Sequence, residues 1–335
     1  MDRIIDTIIP MQQSDNNDCL NKRDRFQLTK TALRIYLRTF WMDYLSMSIL
    51  GGLTLAIHSR QSAPNRIFAV YSRTGKIVNP EISYPFHRNL IPSWLAGLLA
   101  FIIPFIFIML MQIRVKSFDD VNAATMGLFY SLLTSTTFQV FMKWLIGGLR
   151  PHFFSVCKLN INRTSFSAGQ GFDGLMFDRS ICTGDKMDID GALKSMPSGH
   201  STIIFAGLVY CSLYLNGKLK IFSNYRSQYW KFVLFFVPIL IAVLIAASLM
   251  IDHYHHWYDI LVGSTIGTMF AFGSYRFQYT DIWNYRLNHI PLPRLETDHL
   301  DNSTSTSKRG GWDQRHIRGV SFHTTRTLSP SSTYF

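Results

Sequence analysis

Long apolar runs alternate with short polar ones along the chain, and six stretches of about 16 to 21 residues carry at most one charged residue each. They run from Thr39 to Ile57, Ser93 to Met111, Asn122 to Met142, Ser201 to Asn216, Phe232 to Ile251 and Ile260 to Tyr275. Each approaches or meets the roughly 20 residues a helix needs to span a bilayer. The second and fifth are apolar on every face, a pattern that a half-solvated helix does not show. The third and fourth carry Thr, Ser, Gln139 and Asn216, and the sixth is rich in Gly and Ser, which predicts helices facing other helices rather than lipid. Pro104 and Pro238 fall inside spans, where neighbouring helices can absorb a kink. The pattern predicts an all-α, polytopic membrane bundle of six transmembrane helices over residues 39–277. Residues 1–38 and 278–335 form tails, and a loop of about 147–197 follows the third span.

Composition sharpens this picture. Charged residues make up 16% of the 335, where a soluble domain carries roughly a quarter, and the 47% of hydrophobic residues exclude a disordered or low-complexity chain. The net charge of +12 divides by location: 21 Lys and Arg fall on the side that holds both termini and 12 on the other. By the excess of cations on cytoplasmic loops, the termini are expected in the cytosol, and the loop after span three and the turn after span five outside it. No nucleic-acid partner is expected. The first thirty residues hold no apolar core of signal-peptide type, so span one is expected to serve as its own signal into an endomembrane or the plasma membrane. The stretch from Glu296 on, rich in Ser, Thr and Arg, reads as a disordered tail. Cys157 and Cys182 share the extracytosolic loop, where a disulfide is permitted, and Asn162-Arg163-Thr164 is a glycosylation sequon in the same loop.

Three polar clusters fall on this side, at span ends. In the first, Lys143 and Arg150 precede Pro151; a helix continued to the proline puts both cations on one face about 10 Å apart. Such a pair suits a multiply charged oxyanion, or simply anchors a span at the interface. In the second, Pro197-Ser198-Gly199-His200 opens span four, so that a hydroxyl and free N–H groups sit at the positive helix end with an imidazole beside them. An ordinary serine cap looks the same. In the third, which follows Ser248, His255 and Asp259 are four residues apart, so on one shared helix the carboxylate can fix the tautomer of a nucleophilic or general-base imidazole. His253, His255 and His256 are too unevenly spaced for one helical face, which disfavours a metal site.

In this order the clusters resemble the type 2 phosphatidic acid phosphatase superfamily, the lipid phosphate phosphatases, which are related in site to vanadium haloperoxidases. The family motifs are Lys, six residues, Arg-Pro; then Pro-Ser-Gly-His; then Ser-Arg, five residues, His, three residues, Asp. The first two are complete at Lys143, Arg150, Pro151 and Pro197 to His200, and the third matches at Ser248, His255 and Asp259 with Leu249 in place of arginine. The look is nearest to the fungal and plant lipid phosphate and diacylglycerol pyrophosphate phosphatases. The resemblance implies metal-independent hydrolysis of phosphatidate-like lipids, with no cofactor. His255 would form a phosphohistidine with Asp259 orienting it, and His200 would serve the leaving oxygen and then water. Lys143, Arg150, Ser198 and the Gly199 N–H would hold phosphate. The alternatives are a phosphatase for sphingoid base phosphates or isoprenoid pyrophosphates, or a catalytically impaired lipid-phosphate binder, since the family arginine is a phosphate ligand that Leu249 cannot replace. Arginine restored at 249 is expected to speed turnover.

Overall fold

A computed structural model of the chain describes residues 22–60, 66–70, 80–87, 89–159, 169–171 and 174–292, with the helical backbone alone at 22–29 and 32. The sequon at Asn162 and the tail from residue 293 lie outside the described residues. Each apolar stretch lies on one long helix. In chain order the helices are α1 (Lys22–His58), α2 (Ser93–Val115), α3 (Phe118–Leu145), the short α4 (Phe153–Cys157) and α5 (Lys186–Ala192), then α6 (Gly199–Leu219), α7 (Tyr229–Ile251) and α8 (Trp257–Gln278). Local chemistry marks the ends. Ser117 caps α3 by accepting from the Asp120 N–H, and two aspartates follow in the positive first turn.

The bundle is built around α6, of whose 21 residues 17 are buried. It packs against α2, α3, α7 and α8, while α1 lies outside on α3. There Tyr36 donates to Asn122 Oδ1 at 2.8 Å, and the hydroxyls of Thr54 and Thr137 are 2.8 Å apart. By length and composition α1 (from Leu33), α2, α6 and α7 can each cross a membrane. On α2 and α7, Leu98, Ile106, Leu240 and Leu244 point outward, exposed, as lipid-facing rows do and water-facing helices do not. The chain is an integral membrane protein, mostly helical.

Close approach of α8 to α6 depends on glycine. A Cβ at Gly267 would sit 2.3 Å from the Thr202 carbonyl oxygen and 2.8 Å from the Ala206 nitrogen. Valine at 267 is therefore expected to cost about 1–3 kcal/mol by overpacking, read as a lower unfolding midpoint in detergent; an unchanged midpoint would contradict this contact.

At one end of the bundle a cap with its own core joins two loops. Strand β1 (Phe68–Ala69) pairs antiparallel with β2 (Met176–Phe177). Phe68, Val70, Phe153, Phe177, Ile181 and Leu193 pack together beneath them. A disulfide joins Cys157 to Cys182 beside this core. The described residues 80–87 and 89–92 then run across the cap as a strap: the Tyr84 N–H donates to the Pro151 carbonyl (3.0 Å), the Phe86 N–H to Ser155 Oγ (3.3 Å) and the Leu90 N–H to Asp252 Oδ2 (2.8 Å). At the opposite end buried Asp120 is fully engaged, pairing with Lys218 and accepting from Tyr214 and Tyr279 (3.0 Å each) and from Gln112 (2.8 Å).

Candidate functional site

The three polar clusters meet at the cap end. The first reaches it by a turn rather than by a longer helix. Helix α3 stops at Leu145, and Gly147 (φ 60°) and Gly148 (φ 140°) take conformations that favour glycine. The helix expected to run to Pro151 therefore does not form. The turned chain instead pairs with the residues before Ser198: Gly148 N–H with the Leu193 carbonyl and Arg150 N–H with that of Ala192 (2.9 Å each), and Ser195 and Met196 N–H with the carbonyls of Gly148 and Gly147 (3.1 Å each). Lys143 stays in the last helical turn, and Arg150 is buried on the loop.

In the second cluster, Ser198 is the cap of α6, and Gly199 is its first residue. The Ser198 side chain accepts from the Ser201 N–H (3.4 Å) and hydroxyl (3.1 Å), and its own N–H donates to the Asp259 carbonyl (3.0 Å), which ties the second cluster to the third. His200, buried in the first turn, donates from Nε2 to the Ile91 carbonyl of the strap (3.1 Å).

The third cluster departs from the expected shared helix. α8 begins at Trp257 with His256 as its cap, so His255 lies on the loop and Asp259 is the third residue of the helix. The Asp259 carboxylate reaches back to accept from the His256 N–H at 3.1 Å, a reciprocal capping arrangement. His255 Nδ1 is 3.5 Å from the same Oδ2, an ion-pair separation longer than a full hydrogen bond. Ser195 Oγ–H also donates to Oδ2, at 2.5 Å. The capped carboxylate thus meets the imidazole across a loop.

Burial pushes the His255 imidazole down to about 3, against the upward pull of Asp259, and the cations Arg150 and Lys143 push it the same way as burial. It is neutral near pH 7, and with Nδ1 turned to Asp259, Nε2 is the nitrogen left for chemistry. Among the described residues seven buried polar side-chain atoms lack a hydrogen-bond partner, and three of them, Arg150 Nε, His255 Nδ1 and Asp259 Oδ1, lie in this site. Buried polar groups are normally paired. Their concentration here contrasts with the satisfied Asp120 network at the other end. A cavity of about 210 Å³ opens beside Asp259 and Ser195.

Three other histidines near the site are engaged elsewhere. His253 stacks on Tyr84 with ring centroids 4.2 Å apart, His256 donates from Nε2 to the Leu149 carbonyl (3.1 Å), and His152 donates from Nδ1 to the His253 carbonyl (3.0 Å). Among the described residues no three His, Cys, Asp or Glu side chains are placed to hold a metal ion. Leu249 is fully buried in the last turn of α7, and its carbonyl accepts from the N–H groups of Tyr254 (3.0 Å) and His255 (3.3 Å). Sequence reasoning did not pick out Ser195, Tyr254 or the Ile91 carbonyl. Only Ser195 carried a signal, its place three residues before Ser198.

A neutral imidazole backed by a carboxylate can act as nucleophile or base. A second imidazole at a helix start can move a proton, and buried cations with free helix N–H groups can hold an oxyanion. Known proteins are similar to the chain in sequence. Over 197 residues the chain is 33% identical to lipid phosphate phosphatase 2 of Arabidopsis thaliana, covering 59% of this chain and 65% of that protein, just under two thirds of its length. It is 31% identical over 234 residues to the probable lipid phosphate phosphatase 4 of the same plant, with 70% of each chain covered. It is 28% identical over 247 residues to the probable diacylglycerol pyrophosphate phosphatase 1 of Schizosaccharomyces pombe, covering 73% of this chain and 84% of that one. No solved structure matches the chain. Residues 124–283, which hold all three clusters, match the model of the PAP2 superfamily, and the chain belongs to that superfamily.

Proposed function

We propose that this protein is a lipid phosphate phosphatase that hydrolyses phosphate monoesters or pyrophosphates of phosphatidate-like lipids without a metal ion. The observation that carries this reading is the meeting of Lys143, Arg150, Ser198, His200, His255 and Asp259, drawn from three distant segments, at one buried end of the bundle where polar atoms lack partners. In the proposed reaction Nε2 of His255 attacks phosphorus as the bond to the lipid oxygen breaks. His200 gives that oxygen a proton, and the phosphohistidine is then hydrolysed by a water from which His200 takes one. Lys143, Arg150, Ser198 and the Gly199 N–H hold the equatorial oxygens, where charge develops.

All six long helices cross the membrane in this reading, with the termini in the cytosol and the site at the lumenal or outer face. The balance of Lys and Arg supports that orientation, as does the disulfide beside the site, a bond kept on oxidising sides of membranes. Purified protein in detergent with excess EDTA is expected to release phosphate from phosphatidate and from diacylglycerol pyrophosphate. Protein inert with EDTA and active only with Mg²⁺ restored would overturn the metal-free mechanism, and protein that binds these lipids but releases nothing under either condition would favour the impaired binder.

The state of His255 sets the acid side of the pH dependence, and that of His200, which must carry the proton it gives, the alkaline side. For His255 the free base is the active form, and its pKa is lowered, so protonation switches the site off only well below the ordinary 6.5. Corrected for the second ionisation of the substrate phosphate, near 6, the acid limb of kcat/KM is expected below pH 5. A limb at 6.5 would mean that His255 is solvated in the working enzyme.

A further inference from the structure

Leu249 leaves the site one cation short of the family pattern, and the side chain beside His255 bears on that shortage. The Arg150 guanidinium carbon lies 3.8 Å from the centroid of the Tyr254 ring. Arg150 is buried, no carboxylate lies within ion-pair distance of it among the described residues, and its Nε lacks a partner. Tyr254 is held in turn: its N–H donates to the Leu249 carbonyl (3.0 Å), and its ring meets those of His152 and His255 at 5.2 and 5.6 Å.

We propose that the ring of Tyr254 positions the Arg150 guanidinium for phosphate, taking over part of the work that the family assigns to a cation at residue 249. This rests on the phosphatase reading above. A ring face attracts a desolvated guanidinium and, stacked at this distance, sets its plane while leaving the N–H edge free to fork onto an oxyanion. Because Tyr254 precedes His255 in the chain, one loop sets both the nucleophile and the plane of the principal phosphate ligand.

The test uses the full-length protein and orthovanadate, a mimic of five-coordinate phosphorus, with affinity read from the thermal shift it produces. Tyr254→Leu is expected to bind orthovanadate about tenfold more weakly than Tyr254→Phe. Phenylalanines carrying one, two and three ring fluorines at 254 keep the ring's shape while draining charge from its face, and are expected to lose affinity stepwise. They also serve if the leucine variant does not fold. In Tyr254→Leu, adding Leu249→Arg is expected to recover affinity. A flat fluorine series, or equal affinity for the leucine and phenylalanine variants, would overturn the inference. Wild type that releases phosphate while the series is flat sinks the role of Tyr254 alone; wild type inert on every lipid while the series is graded sinks the phosphatase reading alone. Absence of orthovanadate binding in the wild type sinks both.

Discussion

Alanine at His255 is expected to lower phosphate release from phosphatidate by about a thousandfold or more, the scale of losing a nucleophile whose covalent step no other group supplies. The surroundings leave no understudy. His253 is stacked on Tyr84, His256 is bonded to the Leu149 carbonyl and His152 to the His253 carbonyl, so none of the three can swing into the vacated place without breaking its present contact. Lys143, Arg150 and the start of α6 are untouched by the change, so KM is expected to move far less than kcat. Steady-state phosphate release by wild type and variant at equal protein concentration checks this. A variant that retains a tenth of wild-type kcat would remove His255 from the role of nucleophile.

Asparagine at Asp259 is expected to cost on the order of 10² to 10⁴ in kcat, as does loss of the orienting carboxylate in a His–Asp pair. The carboxylate oxygen nearest His255 also accepts from Ser195 Oγ and the His256 N–H. An amide that keeps its oxygen toward these two donors offers His255 no charge, and one that flips its NH₂ toward them loses the bond from the His256 N–H. Either way the imidazole is free to take the tautomer that buries its proton on the wrong nitrogen. The unfolding midpoint should fall modestly, since α8 loses only part of its cap. A variant with half of wild-type kcat would show that His255 is oriented by the loop alone.

The parts of the molecule that follow from periodicity were legible in advance. Ser93 to Met111 and Phe232 to Ile251 sit almost residue for residue within α2 and α7, because an apolar face all around admits one solution. Ser198 was legible as a helix start because a cap is a local interaction. The two expectations that failed concern helix ends. Arg150 was expected on an extension of α3, but the left-handed conformations of Gly147 and Gly148 end the helix and pair that stretch with residues 192–196. His255 was expected on one helix with Asp259, but α8 starts two residues after it. Tyr254 and the strap were not legible, since they act through partners far along the chain or through backbone carbonyls, which no side-chain pattern marks.

The strap has a mechanical consequence. Ile91, whose carbonyl holds His200, is two residues from the first residue of α2, and α2 carries exposed Trp94 at its start and lipid-facing apolar rows below it. A helix set in a bilayer tilts when the hydrocarbon thickness departs from its own apolar length. Tilting of α2 would draw on the Ile91 carbonyl directly, while α6, which carries His200, is enclosed by other helices and would follow the bundle. If the phosphatase reading holds, bilayer thickness therefore acts on the seating of His200, and phosphate release is expected to differ between thin and thick membranes at the same lipid substrate.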